Sequence, residues 1–196
     1  MTDTITPNQP AVREVAGREV PAAGTYTLDP SHSTVEFVVK HLMISKVRGR
    51  FSDVAAKITI AEVPEQSHVE VTIGAASVST GDAKRDEHLR SADFFDVEQH
   101  PNLTFTSTKV EPVRNDRWEV TGDLTVLGVT KPVVLEVEFS GAGQTPWGST
   151  AIGFSASTEI DREEWGLTWN AALETGGVVV GKKVRIELEV EATRDQ

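Results

Sequence analysis

The stretch that decides the fold is Lys183-Val184-Arg185-Ile186-Glu187-Leu188-Glu189-Val190-Glu191. Val184, Ile186, Leu188 and Val190 fall on one parity, and charged residues fill the other. A period of two describes a strand with one apolar and one solvated face. The same alternation recurs upstream. Val35, Phe37 and Val39 alternate with Thr34, Glu36 and Lys40, and Val69, Val71 and Ile73 alternate with His68, Glu70 and Thr72. Leu103 and Phe105 share a face; so do Trp118, Val120, Leu124 and Val126, and again Val133, Leu135, Val137 and Phe139. With the stretches 46–60 and 149–160 the chain holds about eight strands, and their spacing predicts an all-β antiparallel sandwich or barrel. Within 46–60 the apolar parity changes between Phe51 and Ile58, which places a bulge or turn near Asp53–Ala55.

Short polar or Gly/Pro turns join several strands, around Pro64, Asn115 and Gly141–Gly143. Two connections are too long for hairpins. Residues 75–101 include a short helix starting near Asp82, and residues 161–177 hold two of the four tryptophans. Long connections inside a compact all-β domain are more often functional than idle. Residues 1–23 carry Pro7, Pro10 and Pro21 and no repeating apolar face. They read as a flexible N-terminal tail ahead of a barrel over 24–193.

The 196 residues carry 19 Lys+Arg against 30 Asp+Glu, a formal charge of −11. That length suits one domain with a tail. The acidic balance argues against nucleic acid as a partner and predicts repulsion from an acidic membrane surface. With no cysteine, disulfides, thiolate metal sites and cysteine nucleophiles are excluded. The N-terminus lacks the apolar run of roughly 7–15 residues that a secretory signal needs, and no stretch approaches the roughly 18 of a membrane span. The expected location is cytoplasmic, without stable membrane insertion.

The five histidines, at 32, 41, 68, 88 and 100, lack the spacing of zinc ligands on one element, so no metal is expected. There is no GxSxG elbow and no phosphate loop. Asp86 and His88 lie near each other on the expected helix, where an Asp–His pair could orient an imidazole for proton transfer. No nucleophile accompanies them, so a hydrogen-bond cluster that stabilises the loop is the favoured reading, and no catalytic residue is assigned. Lys40–Arg50 carries +4 while the rest of the chain carries −15. If Phe51 points inward, Lys46, Arg48 and Arg50 point to solvent, where they discourage edge pairing. Only Lys40 and His41, near the strand end, are placed to reach a cavity mouth. Phe94, Phe95, Trp165 and Trp169 are large apolar groups on irregular segments. Such residues either cap a core or line the mouth of a cavity, and an eight-stranded barrel is wide enough for one small ligand.

Five blocks of this chain resemble the YceI-like family: YTLDPSHSTVEFVVKHLMISKVRGRF (26–51), SVSTGDAKRDEHLRSADFFDVEQHPNLTFTST (77–108), GDLTVLGVTKPVVLEVEF (122–139), GFSASTEIDREEWGLTWN (153–170) and VGKKVRIELEVEA (180–192). The resemblance implies an eight-stranded antiparallel lipocalin-like barrel with a short helix in the 75–101 connection. It further implies noncovalent binding, carriage or storage of a long-chain isoprenoid lipid or isoprenoid quinone in the lumen, with no established reaction and no cofactor beyond that lipid. A homodimer is implied because dimers recur in the family. Many members are exported to the periplasm, whereas this chain shows a polar tail in place of a signal peptide. Parity and the resemblance together give the candidate ligand-binding set Phe37, Val39, His41, Phe51, Asp86, His88, Phe94, Phe95, Phe105, Trp165 and Trp169. Gly49, Ser107, Gly122 and Gly153, if inward, would leave space in the lumen, although glycines also mark barrel bends. Two other readings stay open: an enzyme acting on a lipid head group through His41, Asp86 and His88, and a filled barrel serving as a dimeric interaction module.

Overall fold

The computed structural model describes residues 11–114, 117–172 and 178–195. A small hairpin comes first, β1 (Val12–Val15) and β2 (Arg18–Pro21). The chain then winds up and down through β3 (Gly24–Leu28), β4 (Thr34–His41), β5 (Ser45–Phe51), β6 (Val54–Ile60), β7 (His68–Gly74) and β8 (Val78–Ser79). After helix α1 (Ala83–Arg90) it continues through β9 (Asn102–Pro112), β10 (Arg117–Val126), β11 (Val129–Gln144), β12 (Thr150–Asp161) and β13 (Val180–Arg194).

The pairs β3–β4, β5–β6 and β7–β8 each form one broken stave, so the barrel has eight staves. Each is antiparallel to its sequence neighbour. Closure comes from β13, which pairs with β4 through Val184–Glu189 and with β3 through Ala192–Arg194. A closed ring leaves no long edge for another chain to extend. The break at Ser52–Asp53 between β5 and β6 is where the change of apolar parity placed it. Helix α1 begins where its cap predicts: the Asp82 carboxylate accepts the Arg85 amide at 3.0 Å.

Two readings of the sequence need correction. Gly141–Gly143 is not a turn but part of β11, where the register shifts between Phe139 and Gly141 and Gly141 takes φ 126°. The glycine there allows a bulge, and the chain reverses later, at residues 145–149. Residues 11–23 are not a structureless tail either. The β1–β2 hairpin turns at Ala16-Gly17 (φ 52° and 76°) and lies over one end of the barrel. Val20 is 3% exposed there, and the Arg13 guanidinium donates to the carbonyls of Ala61 (2.5 Å) and Glu62 (2.7 Å). Tyr26, fully buried beneath it, donates its hydroxyl to the Ala22 carbonyl at 2.8 Å. Residues 1–10 lie outside the described residues.

Strand polarity sorts the connections by end. The end under the hairpin also carries the turns at 61–67 and 145–149. The opposite end gathers the β4–β5 tip at Leu42–Ile44, the α1 connection, the Leu127-Gly128 turn and the 162–179 connection. The inward parity of every stave faces a shared lumen, as the alternation requires.

Candidate functional site

The lumen holds a cavity of about 340 Å³, running from Val20 and Pro21 of the hairpin to Phe94 and Leu167 at the connection end. That volume lies at the lower bound of pockets that take drug-sized ligands, roughly 300–1,000 Å³. The wall is almost wholly aliphatic and aromatic. Of the predicted residues, Phe37, Val39, Phe51, Phe94, Phe95 and Phe105 line it. Phe37, Phe51 and Phe95 form a ladder of rings, with centroids 5.8 Å and then 5.6 Å apart. That ladder ties β4 and β5 to the loop after α1.

The small residues do not hold the lumen open as expected. A side chain at Gly49 would collide with the Phe37 ring, and one at Gly122 with the Phe105 ring. Each glycine is the pocket into which a cross-strand phenylalanine folds, so the volume it frees is already used. Gly153 pairs with Glu191 on the outward parity. Ser107 is buried at a hydrogen-bond junction: its hydroxyl accepts the Val69 amide at 2.9 Å and lies 3.0 Å from His68 Nδ1.

The polar candidates divide differently from the sequence expectation. Asp86 is buried but is turned away from the lumen wall. Its carboxylate accepts the Thr80 hydroxyl (2.6 Å), the Thr80 amide (2.7 Å) and the Ser79 hydroxyl (3.2 Å). Burial pushes its pKa up, but those donors and the nearby Arg90 charge outweigh burial and hold it below the ordinary carboxylate range. His88 pairs not with Asp86 but with Asp93, Nε2 to Oδ2 at 2.8 Å. Its ring stands edge-on to Phe94 and Trp169, at 5.1 Å and 4.7 Å between centroids. These contacts fasten the loop after α1 to the 162–179 connection and put no nucleophile beside the imidazole. His41 ends β4 at the tip, in register with Ser45 and Val180.

Trp165 is buried in the core, where its indole N–H donates to the Leu124 carbonyl at 3.0 Å. Trp169 packs on that core beside Phe94. Neither is part of the lumen wall among the described residues, so both fix the connection in place. Sequence reasoning missed Arg162. It is buried, lines the cavity and donates to the carbonyls of Gly181 (3.0 Å), Trp169 (3.0 Å) and Leu167. Burial pulls its pKa down, opposed by the charges of Glu163 and Asp161. Nothing local marks such an arginine, because the carbonyls it serves meet only after the connection folds.

Outside the lumen, Arg48 on the outer face of β5 lies 3.6 Å from Glu36 and 2.9 Å from Glu187, on β4 and β13. The row of cations on β5 therefore serves the outer surface. Asp29, His32 and Glu191 bring donor atoms within 4.8 Å of one another at the β3–β4 break. There Asp29 already accepts the Ser31 amide at 2.8 Å and lies 3.0 Å from His32 Nδ1, the arrangement of a structured turn. Among the described residues no helix is long and apolar enough to cross a membrane.

A UPF0312 protein of Staphylococcus aureus is 39% identical to this chain over 169 residues, covering 85% of this chain and 95% of its own. The crystal structure of the YceI protein of Campylobacter jejuni superposes with a TM-score of 0.68 at 35% identity, covering 80% of this chain and 90% of that one. A polyisoprenoid binding domain from Saccharophagus degradans, described as implicated in plant cell wall breakdown, superposes at 0.67. It covers 89% of this chain and 100% of that one at 18% identity, which speaks for the shared barrel alone. The model of the YceI-like domain matches residues 26–192, which are the eight staves and both long connections, and the chain belongs to the YceI-like family.

Proposed function

We propose that this chain binds a long-chain isoprenoid lipid or isoprenoid quinone noncovalently in the barrel lumen, and carries or stores it without chemical turnover. The observation that carries this reading is the cavity of about 340 Å³ walled by aliphatic and aromatic side chains along the barrel. A prenyl chain gains roughly 25 cal/mol for each Å² of apolar surface taken from water, and needs no directed polar partner along its length. A domain of the same barrel fold is described as polyisoprenoid-binding, so this architecture suits such a ligand. The ladder Phe37–Phe51–Phe95 supplies flat apolar surface suited to isoprene units.

The enzyme reading is disfavoured, because Asp86 and His88 do not meet. Asp86 spends its oxygens on Ser79 and Thr80, and His88 is held by Asp93. A filled barrel is disfavoured by the cavity itself. The test is native mass spectrometry of freshly purified protein, with solvent extraction of whatever is bound. One long-chain isoprenoid per chain is expected. Conversion of that lipid by the protein would restore the enzyme reading, and an interior that takes up no apolar ligand would overturn the proposal.

A further inference from the structure

Three turns in this fold place two successive residues at positive φ: Ala16-Gly17 (52° and 76°), Leu127-Gly128 (51° and 72°) and Leu42-Met43 (52° and 59°), the last within a three-residue tip between His41 and Ser45. That backbone favours Asn-Gly and similar pairs, because a side chain on the left-handed region is strained. Two of the turns put glycine second. The third uses two bulky apolar residues, closed by the Ile44 amide donating to the His41 carbonyl at 3.0 Å. Local folding preferences do not select Leu-Met there. Nor does core packing select Met43, which is 59% exposed, or Ile44 beside it, which is 88% exposed.

The flanks of this tip share a charge. Lys40 and Lys46 are register partners across β4 and β5, both exposed on the outer parity, and neither has an ion pair among the described residues. Like charges directly opposite on a strand pair repel, and an anion between them relieves that repulsion. Other acidic groups stand at this end, but the two at the base of β13 are engaged: Glu163 holds Lys182 at 2.6 Å, and Asp161 accepts the Glu163 amide. The sequence Lys40-His41-Leu42-Met43-Ile44-Ser45-Lys46 is thus an apolar point between two cationic shoulders, at the connection end of the lumen.

We propose that this tip docks the barrel on a bilayer surface rich in acidic phospholipids. Met43 and Ile44 enter the headgroup–acyl boundary, and Lys40 and Lys46 sit among the phosphates. The contact is peripheral and confined to one hairpin, because the chain as a whole carries −11. Its use, bringing the lumen to the membrane that supplies or receives the lipid, rests on the function proposed above; the docking itself does not.

The experiment is flotation of the full chain with phosphatidylcholine vesicles, and with vesicles of phosphatidylcholine mixed with phosphatidylglycerol. The protein is expected to float with the mixed vesicles, to stay behind with phosphatidylcholine alone, and to be released by high salt. Lys40→Gln with Lys46→Gln should weaken partitioning by about fivefold per lysine. Ile44→Ser should weaken it on the mixed vesicles by roughly tenfold. Leu42→Asn with Met43→Gly should abolish docking while raising Tm, a pairing of effects that damage to the fold cannot give. Lipid content by native mass spectrometry should be the same in every variant, which separates a failure of docking from a failure of the lumen reading. Absence of flotation with the mixed vesicles, or equal flotation of wild type and variants, would overturn the proposal.

Discussion

Arg162 shows what a single side chain contributes to this site. A buried guanidinium that forms no ion pair among the described residues is costly unless its donors are used, and here they converge on carbonyls of the 162–179 connection and of β13. Arg162→Met removes the donors and leaves those carbonyls unpaired, so a loss of about 3 kcal/mol is expected. Chemical denaturation would show it, and near-ultraviolet dichroism would report the loosening of Trp165 and Trp169. Arg162→Lys should rescue little, because an ammonium cannot reproduce the planar fork. Unchanged stability in both variants would mean that the connection is held by its tryptophans alone. At this scale the sequence was legible only where chemistry is local. The Asp82 cap could be read because cap and amide are three residues apart. Arg162 could not, because its partners lie on the connection and on β13. Asp86 and His88 do stabilise the connection, but through partners their spacing does not name: the helix turns His88 toward Asp93, while Asp86 faces the preceding Ser79 and Thr80.

Among elements, the β1–β2 hairpin matters most to the site and was the least visible. Long strands announce themselves by repetition, and β13 gives seven or more alternations where each hairpin strand offers only 4 residues. Ala16-Gly17 was the local signal for the turn. The burial of Val20 is a tertiary fact, created when the hairpin meets the barrel end. Deleting residues 1–10 keeps the whole hairpin, since β1 begins at Val12, and is the reference for the longer truncation. Deleting 1–23 keeps β3 and the closure onto β13 but removes Val20 and Pro21 from the lumen wall and uncovers Tyr26. The barrel should fold with a lower Tm, the Val20 burial alone being worth about 1.5–3 kcal/mol. Exchange of a bound long-chain lipid should quicken, because the hairpin end of the lumen is then uncovered. Stopped-flow displacement of a fluorescent prenyl probe measures this. Identical Tm and exchange in the two truncations would show that the hairpin only decorates the barrel.

For the whole molecule, closure into eight staves fixes the width of the lumen, and the hairpin and connections fix its length. Width followed from the alternation, since strand number and inward parity were both readable. The free volume did not, because Gly49 and Gly122 were each matched to a ring on the next strand, which only the register reveals. A hollow lumen makes a demand that a filled core does not: blocking it at one level should discriminate by ligand length. Val39 lines the cavity near the connection end of β4, opposite Val47 and Val184. Val39→Trp adds apolar bulk to the lumen without adding charge. With free space to receive the ring, the variant should stay folded and lose long prenyl chains before short ones, read by competition across a series of chain lengths. With a packed interior, the same substitution costs about 1–3 kcal/mol through overpacking and shows no dependence on chain length. A folded variant that binds the longest chains as wild type does would place the ligand outside the lumen, because a continuous prenyl chain cannot share that cross-section with an indole.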